Sequence, residues 1–273
     1  MIELPESHTL AKQLNQQLIG RSVSALVVNQ SPHKFAFFHG NPQDYPARFN
    51  KTTFIQATAY GGQVELCFDK QRLVLSDGVN LRYHRDLSTL PSKHQLLMTL
   101  DDGSALTITV SMYGMIYGFE EDSFHNPYYL AAKTSPSVYS TDFTLDYFHS
   151  IITHASPKLS LKALLATEQR IPGLGNGVLQ DILFLAKHHP KTKVADLDDH
   201  AIETLYHQII TTLTQMRDGG GRDTEKDLFG QAGGYVTLLS AKTLLDGCPV
   251  CGHDLRKEAY LGGSIYTCPQ CQK

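Results

Sequence analysis

No run in the sequence approaches the roughly 20 consecutive apolar residues that cross a bilayer, so no membrane partner is expected. The chain does not open with basic residues followed by an apolar core, so no secretory leader is read; a cytoplasmic location is expected, at the nucleoid if the source is bacterial. Positive charge is not in excess: 24 Lys and Arg face 27 Asp and Glu, giving a net charge of −3 and a pI near 6.5. That balance speaks against a broad electrostatic grip on nucleic acid and leaves room for a local basic surface only. Cysteine is almost missing from the body of the chain. Only Cys67 stands there, in the alternating segment QVELCFDK, and it reads as a buried strand residue. Internal repeats and low-complexity tracts are also absent.

What is there fits an ordinary globular protein. At 273 residues, 41% of them hydrophobic, the chain can bury one large core or two medium ones. The first half reads as β. Runs rich in Val, Leu, Phe, Thr and Tyr cover 23–30, 34–40, 63–70, 71–78, 94–103 and 104–113, and Asp102-Gly103 supplies a hairpin turn. Six or more such strands predict an antiparallel sandwich or barrel. An opening helix is predicted over about 5–18, with Pro5 in its first turn, Leu10, Leu14 and Leu18 on one stripe, and Gly20 beyond its end. A small, polar, unpatterned seam at 131–141 predicts a linker, and beyond it the period turns helical. Helices are predicted over 142–154, 160–168, 177–188 and 198–216, and a Gly-rich loop over 217–235.

Three motifs carry chemistry. The first is Cys248-x2-Cys251, sixteen residues, then Cys268-x2-Cys271. Two such knuckles complete a thiolate tetrahedron around one structural zinc ion; the plain alternative is four free buried cysteines. The residues between the knuckles predict a two-stranded zinc-ribbon hairpin around Leu261–Ser264. The second is RIPGLGNGVLQDILF (170–184), two helices flanking Gly173-Leu174-Gly175-Asn176. The start of the second helix offers backbone N–H groups as a phosphate cradle, or the segment is only a helical hairpin turn. The third is the opening MIELPE, whose Glu3 and Glu6 either cap the first helix or do chemistry.

Together these residues resemble the formamidopyrimidine-DNA glycosylase / endonuclease VIII family along nearly the whole chain. Glu3-Leu4-Pro5-Glu6 match its opening. Gly173-Leu174-Gly175-Asn176, Leu183-Phe184, Ala186 and Pro190 match its helix–two-turn–helix, and Cys268 to Gln272 match the end of its zinc hairpin. The resemblance implies an α+β chain of two domains, with damaged DNA bound in the cleft between them. Residues 1–130 would form an antiparallel β-sandwich carrying the N-terminal helix. After the linker, 142–240 would form the helix–two-turn–helix domain and 241–273 the zinc hairpin. It implies excision of a flipped, damaged base by a monomer, with an N-terminal amine attacking the sugar and a glutamate, here Glu3, handling protons. It further implies catalytic roles for Met1, Glu3 and Glu6. DNA contacts are implied for Gly173, Gly175, Asn176 and Gly263, for Met112 and Tyr113 where the family fills the hole left by the flipped base, and for Arg222 and Lys226 in a base-reading loop.

The sequence departs from the family at four places. Ile2 replaces the proline whose amine is the usual nucleophile. Methionine before so large a residue is not normally trimmed, so the α-amine is expected on Met1, one residue displaced. Gly62 stands where a lysine is expected, Met112 and Tyr113 where an Arg and a Phe are, and Gly263 where an arginine grips phosphate. Three readings follow: a DNA glycosylase with weakened or altered lyase chemistry, a lesion-binding protein without chemistry, and a zinc-ribbon protein that binds another protein or a small molecule.

Overall fold

The stripe Leu10, Leu14 and Leu18 builds the helix expected of it. In the computed structural model, which describes residues 1–273, that helix is α1 (Leu4–Leu18); all three leucines are buried, and Gly20 follows at φ +82°. Then come β1 (Val23–Val28), β2 (Ala36–Phe38), α2 (Tyr45–Phe49), β3 (Phe54–Tyr60), β4 (Gln63–Phe68), β5 (Gln71–His84), β6 (Leu96–Leu100) and β7 (Ala105–Glu120). The second half holds α3 (Pro127–Thr134), α4 (Leu145–His154), α5 (Leu161–Ala166), α6 (Val178–Leu185) and α7 (Asp199–Asp218), and it ends in the hairpin β8 (Arg256–Tyr260) and β9 (Gly263–Thr267).

Hydrogen bonds link the first seven strands into one sheet, ordered β1-β6-β7-β5-β4-β3, with β2 added to β7 in parallel. The two long strands β5 and β7 make this sheet a sandwich. Asp77 pairs with Gly114 and Val79 with Val110, so Gly78 faces three residues, Ser111 to Tyr113. This bulge breaks the ribbon, and bulges of this kind bend strands and raise local twist. The outer segments lie in two halves whose inner residues, such as Leu26, Leu81 and Met98 on one side and Val64, Leu73 and Ile116 on the other, share one core. The antiparallel expectation holds except at β2. Strand β3 escaped the sequence reading because a register shift between Phe54 and Gln56 breaks its alternation.

The stretch 131–141, expected as a linker, begins inside α3. Asn126 caps that helix by accepting from the N–H groups of Tyr128 and Tyr129, and Pro127 fills its first position. Only Tyr129 and Ala132 are buried along it, so the chain there shows no apolar stripe to read.

The two halves exchange one leucine each. Leu4, on α1, packs into the helical core, whereas Leu228, in the Gly-rich loop, is fully buried in the sandwich core. Each such side chain contributes roughly 1.5–3 kcal/mol on burial. The loop is further tied down: Leu228 N–H donates to Gln13 Oε1 at 2.9 Å, Gln13 Nε2 donates to Asp227 at 2.8 Å, and Tyr83 N–H donates to Leu228 O at 2.9 Å. The segment expected as a base-reading loop is a strap anchored on the opposite domain.

Candidate active-site cleft

The front of the chain is pinned by its own backbone. Ile2 N–H donates to Asp77 O at 2.7 Å, and Leu4 N–H donates to Gly173 O at 2.9 Å. Asp77 holds φ +60° and Gly173 φ +80°, the first at the bulge and the second in the turn before α6. A proline at position 2 has no N–H and would lose the bond to Asp77. Ile2 instead uses that N–H and buries its side chain in the sandwich core. Gly62 meets the same junction: a Cβ there would lie 3.1 Å from Gly173 Cα and 3.2 Å from Ile2 O. A side chain at that position, lysine included, would require this junction to give by a few tenths of an ångström.

Glu3 and Glu6 point in different directions. Glu3 is buried and lines the cleft. Its Oε1 accepts from Gly177 N–H at 2.9 Å and its Oε2 from Val178 N–H at 2.8 Å, at the start of α6. The expected phosphate cradle is thus occupied in part by the protein's own carboxylate; a Cβ on Gly175 would meet Glu3 Oε1 at 2.5 Å. The N–H groups of Gly175 and Asn176 find no partner in the chain and remain available in the cleft. Glu6 lies behind the cleft wall rather than in it. It takes Arg222 Nε and Nη2, both at 2.9 Å, and Arg222 N–H at 3.2 Å.

Arg222 therefore corrects the sequence reading. Its side chain is 3% exposed, with Nη1 also 3.4 Å from Glu3 Oε2. It reaches no solvent from which to touch DNA. Burial pushes the Glu3 carboxyl up, against the pull of Arg222 and the two backbone donors. For Glu6, burial is outweighed by the Arg222 guanidinium and its hydrogen bonds, and the carboxyl sits below its ordinary range. Lys226, the other loop residue, is exposed beside a small crevice next to Glu6 and does not line the cleft. The strap reaches the terminus as well: the Met1 ammonium pairs with Glu225.

The cleft measures about 560 Å³ and runs between the halves. The bulge of β7 projects Met112 and Tyr113 into it, 64% and 37% exposed, because three residues opposite one glycine cannot all turn inward. Across from them stand Asn176 and Gly263. Asn176 Nδ2 donates to Ser264 O at 3.0 Å, and Gln180 brackets the same hairpin through Ser264 O and Tyr266 N–H. A Cβ on Gly263 would lie 3.2 Å from the Asn176 amide, so glycine lets the hairpin seat closely there. None of the 13 histidines lines the cleft. Lys162 does, and sequence reading passed over it. Its Nζ donates to Tyr260 O at 2.5 Å from the short, otherwise apolar α5, and a lysine inside such a helix was the available signal.

The four tail cysteines meet in one cluster. All their Sγ atoms lie within 4.8 Å of one another, with Cys248 and Cys271 at 3.7 Å and Cys251 and Cys268 at 3.5 Å. Four thiolates bonded to zinc at about 2.3 Å stand about 3.8 Å apart in a tetrahedron, so the set fits that ion with no position left open.

Residues 134–226 match the formamidopyrimidine-DNA glycosylase H2TH domain. Over all of both chains, the protein is 28% identical to the formamidopyrimidine-DNA glycosylase of Streptococcus thermophilus and 27% identical to that of Lactococcus lactis. The chain is thus similar along its whole length to formamidopyrimidine-DNA glycosylases and carries their H2TH domain. Solved structures share its fold. The Lactococcus lactis Fpg in complex with abasic-site DNA superposes with a TM-score of 0.83 at 23% identity over 99% of each chain. The Thermus thermophilus protein does so at 0.81 and 20%, over 99% of this chain and 98% of the other. This chain pairs its terminal amine and both opening glutamates with the strap that follows α7.

Proposed function

We propose that the protein is a DNA glycosylase that removes damaged bases, with its lyase chemistry altered by the shift of the amine from position 2 to Met1. One observation carries the reading: the folded terminus brings Met1 and the buried Glu3 to the same cleft as the Met112–Tyr113 wedge and the free N–H groups of Gly175 and Asn176. The wedge would fill the duplex where a nucleotide has been extruded, and the two N–H groups would hold its phosphate. The Met1 nitrogen then forms a bond to C1′ as the bond from C1′ to the base breaks; the base leaves with the electron pair and takes up a proton. Glu3 has a lone pair left on Oε1 beyond its bond to Gly177 and handles that proton at the sugar and the base. The C1′–O4′ bond then breaks as the nitrogen lone pair forms an imine, O4′ takes up a proton and the sugar ring opens; loss of a C2′ proton from that imine expels the 3′ phosphate.

Damaged DNA is thus the partner. The few cations in the cleft, with Lys162 foremost, imply weak salt dependence relative to a member that grips phosphates with several Lys and Arg. The test is incubation with duplexes carrying oxidised bases or an abasic site, with and without borohydride. Base release and a trapped adduct at Met1 are expected. Lesion-selective binding without either would leave a binding protein in place of an enzyme.

The cysteine cluster is proposed to hold one zinc ion that braces the hairpin. Metal analysis should return about one zinc per chain. Cys268→Ser should lose it, free Ser264 from Asn176 and weaken DNA binding at least tenfold; a variant that keeps full affinity without metal would refute the bracing role.

A further inference from the structure

The nucleophile in this reading carries a proton that it must lose, and the carboxylates around it are not equivalent. Glu3 already accepts two backbone donors, from Gly177 and Val178, and forms an ion pair with Arg222 Nη1 at 3.4 Å. Asp77 lines the same cleft, but its carboxylate accepts Ser76 Oγ at 2.9 Å, and burial favours its protonated form. Glu225 is the carboxylate bonded to the Met1 nitrogen itself. It is not free to drift away. Its own N–H donates to Arg222 O at 3.0 Å, its carbonyl accepts Gly233 N–H at 3.2 Å, and three residues on, Leu228 is fixed in the sandwich core. The anchored backbone of the strap thus presents one carboxylate to the one terminal amine.

The geometry points to Glu225 as a further catalytic residue, the base that orients the Met1 amine and takes its proton. This assignment rests on the glycosylase reading above. On an abasic site, the Met1 ammonium gives a proton to Glu225, and the freed lone pair bonds to the C1′ aldehyde carbon. After proton transfer within the adduct, Glu225 returns its proton to the C1′ oxygen, which leaves as water, and a protonated imine remains. Protons balance, and no outside oxidant or reductant is needed. Glu3 works toward the sugar and the base while Glu225 works toward the amine. Two acids in different surroundings commonly divide labour in this way.

The test compares the full-length protein with Glu225→Gln and Glu225→Asp. Single-turnover adduct formation on abasic-site DNA, trapped with borohydride, should fall about 100-fold in Glu225→Gln and recover in part in Glu225→Asp. Affinity for a non-reactive abasic analogue and the melting temperature should stay unchanged, since a partly exposed ion pair contributes little stability. A rate within twofold of wild type overturns the assignment, and so does a loss explained wholly by weaker binding. A second measurement does not need DNA chemistry. The proteins are mixed with 2-deoxyribose 5-phosphate and cyanoborohydride, and labelling at Met1 is followed by mass spectrometry. Slower labelling in Glu225→Gln supports the role, and equal labelling overturns it even if no DNA lesion proves to be a substrate. Absence of DNA adducts in wild type together with slower Met1 labelling in the variant would instead count against the glycosylase reading alone.

Discussion

Replacing Arg222 with methionine should lower the unfolding free energy by about 3–5 kcal/mol, because removing one partner of a buried ion pair strands the charge that remains. Glu6 is the group left exposed to that penalty. Without Arg222 it keeps only the Glu3 N–H, at 3.3 Å, whereas Glu3 keeps both α6 donors. Adding Glu6→Gln to Arg222→Met should therefore recover a large share of the loss, while adding Glu3→Gln should recover less. In urea, the midpoint should fall with the slope unchanged. The dependence on pH has a definite sign. Glu6 in the native chain is held below its ordinary value of 4.5, so its contribution is present above that pH and disappears as pH falls through the folded value. The stability gap between wild type and Arg222→Met should thus be widest above about pH 5 and narrow under acid. Glu3 is shifted up and acts in the opposite sense in the native chain, so the gap between the two proteins is the quantity to read, rather than either curve alone. A gap that stays constant from pH 7 to 4 would mean that the triad carries no net charge coupling.

That prediction was out of reach of the sequence, and the reason is physical. Local spacing announces a structure when the partners are near in the chain. The two Cys-x2-Cys knuckles, the leucine stripe of α1 and the Gly-Leu-Gly-Asn turn were legible for this reason, and each lies where its spacing put it. Arg222 belongs to a Gly-rich polar run that reads as an open loop. Its burial is decided by Glu3 and Glu6, more than two hundred residues away, and no local pattern encodes that meeting. Leu228 is a single apolar residue in the same run, and only the sandwich core it enters explains it. The bulge at Gly78 was hidden in the same way. A three-against-one mismatch is a property of two paired strands, and neither β5 nor β7 shows it alone. The phosphate cradle was half legible: the turn was right, but the carboxylate that claims two of its N–H groups comes from the other end of the chain.

Glu3→Gln should reduce base excision by about 100- to 10,000-fold, the usual span for loss of a positioned proton-transfer group. The substitution is close to isosteric, yet it is not neutral for the fold. The two Glu3 oxygens each accept a backbone N–H, from Gly177 and Val178. A glutamine has only one oxygen, so its amide NH2 must face one of those donors. That mismatch costs about 1–3 kcal/mol, and activity must be compared at conditions where both proteins are fully folded. Arg222 retains Glu6 and keeps the strap in place, so the Met1–Glu225 pair should survive. The variant then separates the two halves of the chemistry. Breaking the bond from C1′ to the base needs proton handling at the sugar and the base, and should be nearly lost. A preformed abasic site has no base to expel and presents a reactive aldehyde, so borohydride trapping on that substrate should fall by tenfold or less. Equal, severe losses on both substrates in a fully folded variant would instead place Glu3 in the support of the amine and leave the departing base to another acid.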